Sequence, residues 1–177
     1  SRKLDKIIVL GDVKHEFGRI LPEEWKEIIG FIEYLKERCK ELVIIEGNHD
    51  VVLFPVLKRL GAVAVDYYLW RDFVFVHGDA DFAEIYDKKI NNWVVGHGHP
   101  AVTLNDGVKK EKYKCFLIGE FKGKEVIIVP SFFPLVEGTD AREFEMRFAW
   151  DFDLGGFDVK VVSENLEVLD FGKLKEI

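Results

Sequence analysis

The chain has 177 residues, of which 48% are hydrophobic, 14% aromatic and 32% charged, a composition that suits one folded domain over residues 1–177 and excludes disorder or low complexity. Twenty-five Lys plus Arg against 32 Asp plus Glu give a formal charge of −7, so no broad basic face is on hand for nonspecific gripping of a nucleic-acid backbone. No apolar run reaches the roughly 18 residues of a membrane span, the opening SRKLDKIIVLGD lacks the core of a signal peptide, and Cys39 and Cys115 form no CxxC clip, so both read as buried thiols of a soluble cytoplasmic protein.

Lys6 to Leu10 (KIIVL) predicts a short buried strand that delivers Gly11-Asp12 into a loop. From Pro22 onward, Trp25, Ile28, Ile29, Ile32, Leu35 and Cys39 recur at helical spacing behind a proline and two glutamates that suit a helix start. Leu42 to Ile45 is a second buried strand, closing on Glu46-Gly47-Asn48-His49-Asp50, so the opening reads as a parallel βαβ unit. Val51 to Leu60 predicts another helix, followed by two β-rich runs, AVAVDYYLW and FVFV, the second ending in His77-Gly78-Asp79. Trp93 to Val95 stops at Gly96-His97-Gly98-His99, after which hairpins are expected around Asn105-Asp106-Gly107 and Lys122-Gly123-Lys124. Further strands are expected over 115–121, 125–129, 159–162 and 166–171, with the four tryptophans in the core. Parallel βαβ first and antiparallel strands later imply an α/β fold, a two-sheet β-sandwich flanked by helices.

Four separate strands thus end in GD, GNHD, HGD and GHGH, and the carboxyl ends of strands are where open α/β sheets bind ligands. Of five histidines in the chain, four, His49, His77, His97 and His99, fall in these loops. With Asp12, Asn48, Asp50 and Asp79 they offer carboxylate, amide and imidazole donors, a mixture suited to Mn, Fe, Zn, Ni or Co. Asn48 can ligate through its carbonyl oxygen while its neighbour His49 turns towards a substrate, with Asp50 able to hold the imidazole and Asp79 able to orient His77. Asp140 and Arg142 are candidates for the rim of the cleft.

In kind and order these four motifs resemble those of the calcineurin-like metallophosphoesterases, and GDVKHEFG is similar to the small archaeal and bacterial phosphoesterases related to the DNA-ligase-associated type. The resemblance covers residues 6–100 and implies an α-β-β-α metallophosphoesterase fold and a dinuclear centre with a bridging hydroxide. Asp12 would bridge the two metals, Asn48, His77 and His97 would complete one site, His99 would serve the other, and His49 would face the substrate phosphate with Asp50 behind it. Two divalent transition metals are implied, Mn favoured, and a phosphoester substrate, a diester in preference to a monoester, possible substrates including a nucleotide or a nucleic-acid end.

The family's first motif, Asp-x-His, occurs nowhere in the chain, and Asp12 to His15 is D-x-x-H placed after the bridging position. The expectation is an upstream segment of roughly 30 to 60 residues carrying that motif, the length of a strand, a crossover and a return to the sheet. The alternative is a noncatalytic, metal-stabilised interaction module that lost the motif. The absence of Gln and the abundance of Lys and Glu suit a protein from a hot environment.

Overall fold

The computed structural model describes residues 3–13, 22–50, 53, 57, 59–105, 107–142 and 146–177. They fall into two compact units, the first of residues 1–68 with 75–77 and the second of residues 69–74 with 78–177. His15 and most of the helix expected over 51–60 lie outside the described residues.

The first unit is the predicted βαβ, extended by a third strand. β1 (Leu4–Val9), β2 (Cys39–Ile45) and β3 (Val63–Val65) form a parallel sheet in the order β1-β2-β3. Ile7 is opposite Leu42, Val9 opposite Ile44, and Ile44 opposite Ala64. Between β1 and β2 runs α1 (Pro22–Arg38), whose last turn carries Lys36 and Arg38, a favourable sign of charge at a helix carboxyl end. Its apolar stripe buries Ile28 and Ile32 with Leu42, Ile44, Leu53 and Leu57, and Trp25, Phe31 and Leu35 pack at the margin. β2 begins three residues earlier than the apolar run suggests because Cys39 is already in the core.

The second unit carries a mixed nine-stranded sheet. Its strands are β4 (Tyr67–Trp70) and β5 (Phe73–Val76), whose ends are shared with the first unit, β6 (Asn92–Val95), β7 (Pro100–Asn105), β8 (Lys110–Phe121), β9 (Lys124–Ile128), β10 (Thr139–Asp140), β11 (Asp158–Val162) and β12 (Val168–Lys173). The order is β10-β7-β8-β9-β6-β5-β4, with β11 on β8 and β12 on β11. β8 is the spine: residues 110–114 pair with β7 and residues 115–121 with β9 and β11, so the charged KEKYK stretch and the apolar stretch after it are one strand of 12 residues. The tight β8–β9 turn is made by Lys122 (φ 51°) and Gly123 (φ 75°), the two positive values a type I′ hairpin requires. Trp93, Val95, Leu117, Val126, Ile128 and Val159 are wholly buried. No described helix is long and apolar enough to cross a membrane.

Two expectations are corrected. Trp70 is 42% exposed, because β4 stands at the end of the strand order, and the Arg71 guanidinium covers its ring at 4.5 Å. Asp140 does not rim a cleft: it is 1% exposed, where its Oδ2 accepts from Thr103 N at 2.7 Å and Arg142 Nη2 at 3.1 Å and its Oδ1 from Arg142 N at 3.1 Å. Arg142 carries the knot onward to the carbonyls of Thr103 and Ile177, so one buried carboxylate ties β7, β10 and the end of the chain.

Burial alone would push the Asp140 carboxyl up, but the Arg142 guanidinium and the N–H groups of Thr103 and Arg142 outweigh it and hold it far below the usual carboxylate range. A depressed acid stabilises the fold above its unfolded value, about 3.9, and that contribution drains away as pH falls towards the folded value. Asp140→Asn should therefore cost about 1.5–3 kcal/mol at pH 7, the scale of lost charge-assisted hydrogen bonds. Measured by thermal melts from pH 7 to pH 2, the gap between wild type and variant should stay level down to about pH 4 and narrow below it. A gap independent of pH over that range would refute the account.

Candidate metal centre

Parallel pairing of β1 with β2 sets the first two motifs side by side. Val9 is opposite Ile44, so the chain leaves both strands at one level and enters Gly11-Asp12 on one side and Gly47-Asn48 on the other. The approach is too close for a side chain. A Cβ on Gly47 would overlap the Asp12 carboxylate and backbone nitrogen, and one on Gly11 would lie 2.7 Å from His77 Nδ1 and 2.8 Å from Gly47 N. Asp12 takes a left-handed backbone (φ 51°), which Asp tolerates better than most residues, and this turns its carboxylate back into the space between the loops.

Asp12 Oδ1 accepts the backbone N–H of His49 at 3.1 Å, and its Oδ2 lies 3.4 Å from His77 Nε2 and 4.0 Å from His49 Nε2. Burial pushes the Asp12 carboxyl up, yet the His77 imidazole and the His49 N–H more than compensate and keep it below the ordinary carboxylate range. His77, 1% exposed at the end of β5, places Nδ1 2.6 Å from the Leu10 carbonyl oxygen and Nε2 3.2 Å from Asn48 Oδ1. A carbonyl can only accept, so Nδ1 carries the proton, and in the neutral ring Nε2 presents a lone pair to two further lone-pair oxygens. Such a point takes either a proton or a cation. Bonds of about 2.1 Å at tetrahedral angles give donor separations of about 3.4 Å, close to those found around Nε2, so the donor set fits a divalent transition metal.

The Leu10 carbonyl does the orienting that the sequence suggested for Asp79, which is exposed. Nothing in the sequence points to it, because a backbone acceptor leaves no side-chain signature. Asp50 is fully buried, and its Oδ2 accepts from Gly47 N at 3.2 Å and Val13 N at 3.3 Å, tying the GNHD loop to the chain just after Asp12. The structure thus brings Asp12, Asn48, His49, Asp50 and His77 together within the first unit.

The last motif belongs to the second unit. β6 ends at Val95 and the chain turns sharply through Gly96-His97-Gly98-His99, with Gly98 N bonded to Gly96 O at 2.6 Å. His97 (φ 52°) and His99 (φ 45°) both hold left-handed backbones, uncommon for any residue with a Cβ and costly when two fall in one turn. The His99 carbonyl accepts Thr139 N at 2.9 Å, which fixes the exit of the turn to β10.

The calcineurin-like phosphoesterase family model matches residues 1–163, and the chain belongs to that family, whose members are metal-dependent. Phosphoester hydrolysis is accordingly the general chemistry of its class. In fold it is similar to the nuclease MPE of Pseudomonas putida, with a TM-score of 0.63 at 17% identity over 94% of this chain and 70% of that one. Weaker likenesses are to vacuolar protein sorting 29 of Cryptosporidium parvum (TM-score 0.43, 16% identity, 95% and 97% covered) and to the zinc complex of Vps29 of Entamoeba histolytica (0.35, 13%, 94% and 99%). No curated protein sequence matches the chain.

Gly47→Ala tests the close approach. The added methyl must displace Asp12, so metal affinity measured by calorimetric titration with Mn²⁺ should fall by at least about 10-fold, the usual loss when a ligand's support is disturbed. Unchanged affinity would mean that Asp12 does not need its observed position.

Proposed function

We propose that this chain hydrolyses phosphoesters, diesters in preference to monoesters, using two divalent cations held by Asp12, Asn48, His77, His97 and His99, and that residues 1–177 belong to one metallophosphoesterase domain. The observation that carries the reading is the meeting of Asn48 Oδ1 and Asp12 Oδ2 at 3.2 and 3.4 Å from His77 Nε2, in a chain of this family. The Asp12 carboxylate, with two oxygens, serves both cations. Asn48, His77 and His97 complete the first set of ligands, and His99 serves the second with Asp12. When bound, the cations supply a water acidified towards neutrality and offset the charge that grows on the phosphoryl oxygens.

The remaining work falls to the chain itself. His49, whose neighbour Asn48 does the coordinating, faces the phosphate and either stabilises its equatorial oxygens or protonates the leaving alkoxide. Asp50 fixes the loop that aims it, through the N–H groups of Gly47 and Val13. Attack in line with the leaving group inverts phosphorus. Manganese is the favoured ion for a donor set mixing carboxylate, amide and imidazole. The diester preference, extending to nucleotides and nucleic-acid ends, draws on the GDVKHEFG resemblance and on a structural neighbour named a nuclease. Cys39 and Cys115, buried and free, suit a reducing cytoplasm, and the charged, glutamine-free composition suits a hot habitat.

Two variants separate the roles. His77→Ala should lose bound metal after dialysis, as read by elemental analysis beside the wild type, and equal content in both would sink the ligand assignment. His49→Ala should keep its metal, yet hydrolyse bis-p-nitrophenyl phosphate in Mn²⁺ with a kcat at least about 100-fold lower, the scale of a lost general acid. Loss of metal from His49→Ala would instead make it a ligand.

A further inference from the structure

Residues 146–152 form no helix or strand, yet their burial alternates strictly: Met146, Phe148, Trp150 and Phe152 turn inward while Arg147, Ala149 and Asp151 are exposed. A segment with that two-residue period and no sheet partner is holding something with its inner face. Its attachments say what. Ala149 N donates to the carbonyl of Gly78, the residue after His77, at 2.9 Å. Trp150 Nε1 donates to Asp81 Oδ1 at 2.9 Å, downstream on the same loop. The Phe148 ring stands edge-on to His97, centroids 6.2 Å apart at 68°, and is itself held by Phe152 at 5.2 Å.

The closest packing is at Gly98. A Cβ there would overlap the Phe148 ring and lie 3.0 Å from Met146 Sδ, so the turn carrying His97 and His99 is pressed directly onto the segment. Both histidines hold left-handed backbones, and a turn with two such residues keeps its shape only where neighbours over-determine it. Phe148 is the neighbour that touches His97 and Gly98 together.

We propose that Phe148 is a positioning residue for the metal centre: clamped by Ala149 to Gly78 and by Trp150 to Asp81, it presses on Gly98 and on the His97 ring and so holds the GHGH turn in the shape that presents its imidazoles. The inference rests on the reading of His97 and His99 as ligands. A phenyl ring offers no atom to ligate a metal, so Phe148 acts through His97. Glycine at position 98 is needed because the ring occupies the space a side chain would fill.

The test uses wild type, Phe148→Ala, Phe148→Leu, Gly98→Ala and the Gly98→Ala/Phe148→Ala double variant, each followed by Mn²⁺ calorimetry, by kcat and KM on bis-p-nitrophenyl phosphate across Mn²⁺ concentrations, and by melting temperature. Phe148→Ala should weaken Mn²⁺ binding by about 10-fold, in the range found when the support of a metal ligand is removed, and lower kcat while leaving KM near the wild-type value. Phe148→Leu should restore most of the affinity. Gly98→Ala should weaken Mn²⁺ binding in the wild-type background and add little to Phe148→Ala, because the ring it strikes is gone. If folded Phe148→Ala binds Mn²⁺ and turns over like the wild type, or if Gly98→Ala and Phe148→Ala act additively, the positioning role is overturned. A wild type that binds no Mn²⁺ overturns the metal reading and this inference with it, whereas a wild type that binds Mn²⁺ and fails to hydrolyse the diester overturns only the proposed activity and leaves the affinity series to decide the role of Phe148.

Discussion

The backbones of Gly11-Asp12 and Gly47-Asn48 pass so close that no side-chain carbon fits between them, and the candidate centre is built in the gap this creates. The approach is set by the β1–β2 register, which ends both strands at the same level, and the register is in turn held by the core that Ile28 and Ile32 of α1 make with Leu42 and Ile44. Hydrophobic packing on one side of a three-stranded sheet thus governs where a carboxylate oxygen sits beyond its edge. A carboxylate placed there remains ionised despite burial because a backbone N–H and an imidazole face it.

Polar groups that bind and polar groups that brace are handled alike in this protein: the partly buried Asp12 and the buried Asp50 and Asp140 each span two pieces of chain. Asp12 joins the GNHD loop through His49 N, Asp50 joins Gly47 to Val13, and Asp140 joins Thr103 of β7 to Arg142. The first has oxygens turned towards donors that suit a metal, and the last has its acceptors filled by Thr103 and Arg142. Residue type alone does not distinguish a ligand from a brace; the neighbours do.

The βαβ opening, the type I′ turn at Lys122-Gly123 and the gathering of Asp12, Asn48, His49 and His77 were legible because each leaves a local mark: apolar periodicity, a glycine after a left-handed residue, and polar residues at strand ends. What stayed hidden depends on residues far apart in the chain. The charge of KEKYK marks the returning arm of the hairpin expected around Asn105-Asp106-Gly107, but gives no sign that this arm runs on unbroken into the apolar stretch after it as one strand of 12 residues. Asp140 reads as surface until Thr103 and Arg142 surround it, and Trp70 reads as core until β4 proves to be an edge. The segment around Phe148 looks like a plain aromatic stretch, since its partners at Gly78 and Gly98 lie some 50 residues or more upstream.

The hydrogen bond from His77 to the Leu10 carbonyl has a consequence for how variation at this site is tolerated. Every amino acid carries that carbonyl, so the group that chooses the imidazole tautomer is indifferent to what evolution or a mutagenesis library writes at position 10. Side-chain scanning there would report only how well the replacement packs at the end of β1, and the chemistry at His77 would stay silent. The bond becomes visible only to a change in the main chain itself: an ester at the 10–11 linkage, made by unnatural-amino-acid incorporation, weakens the acceptor without altering any side chain and so frees the ring to exchange its protonated nitrogen.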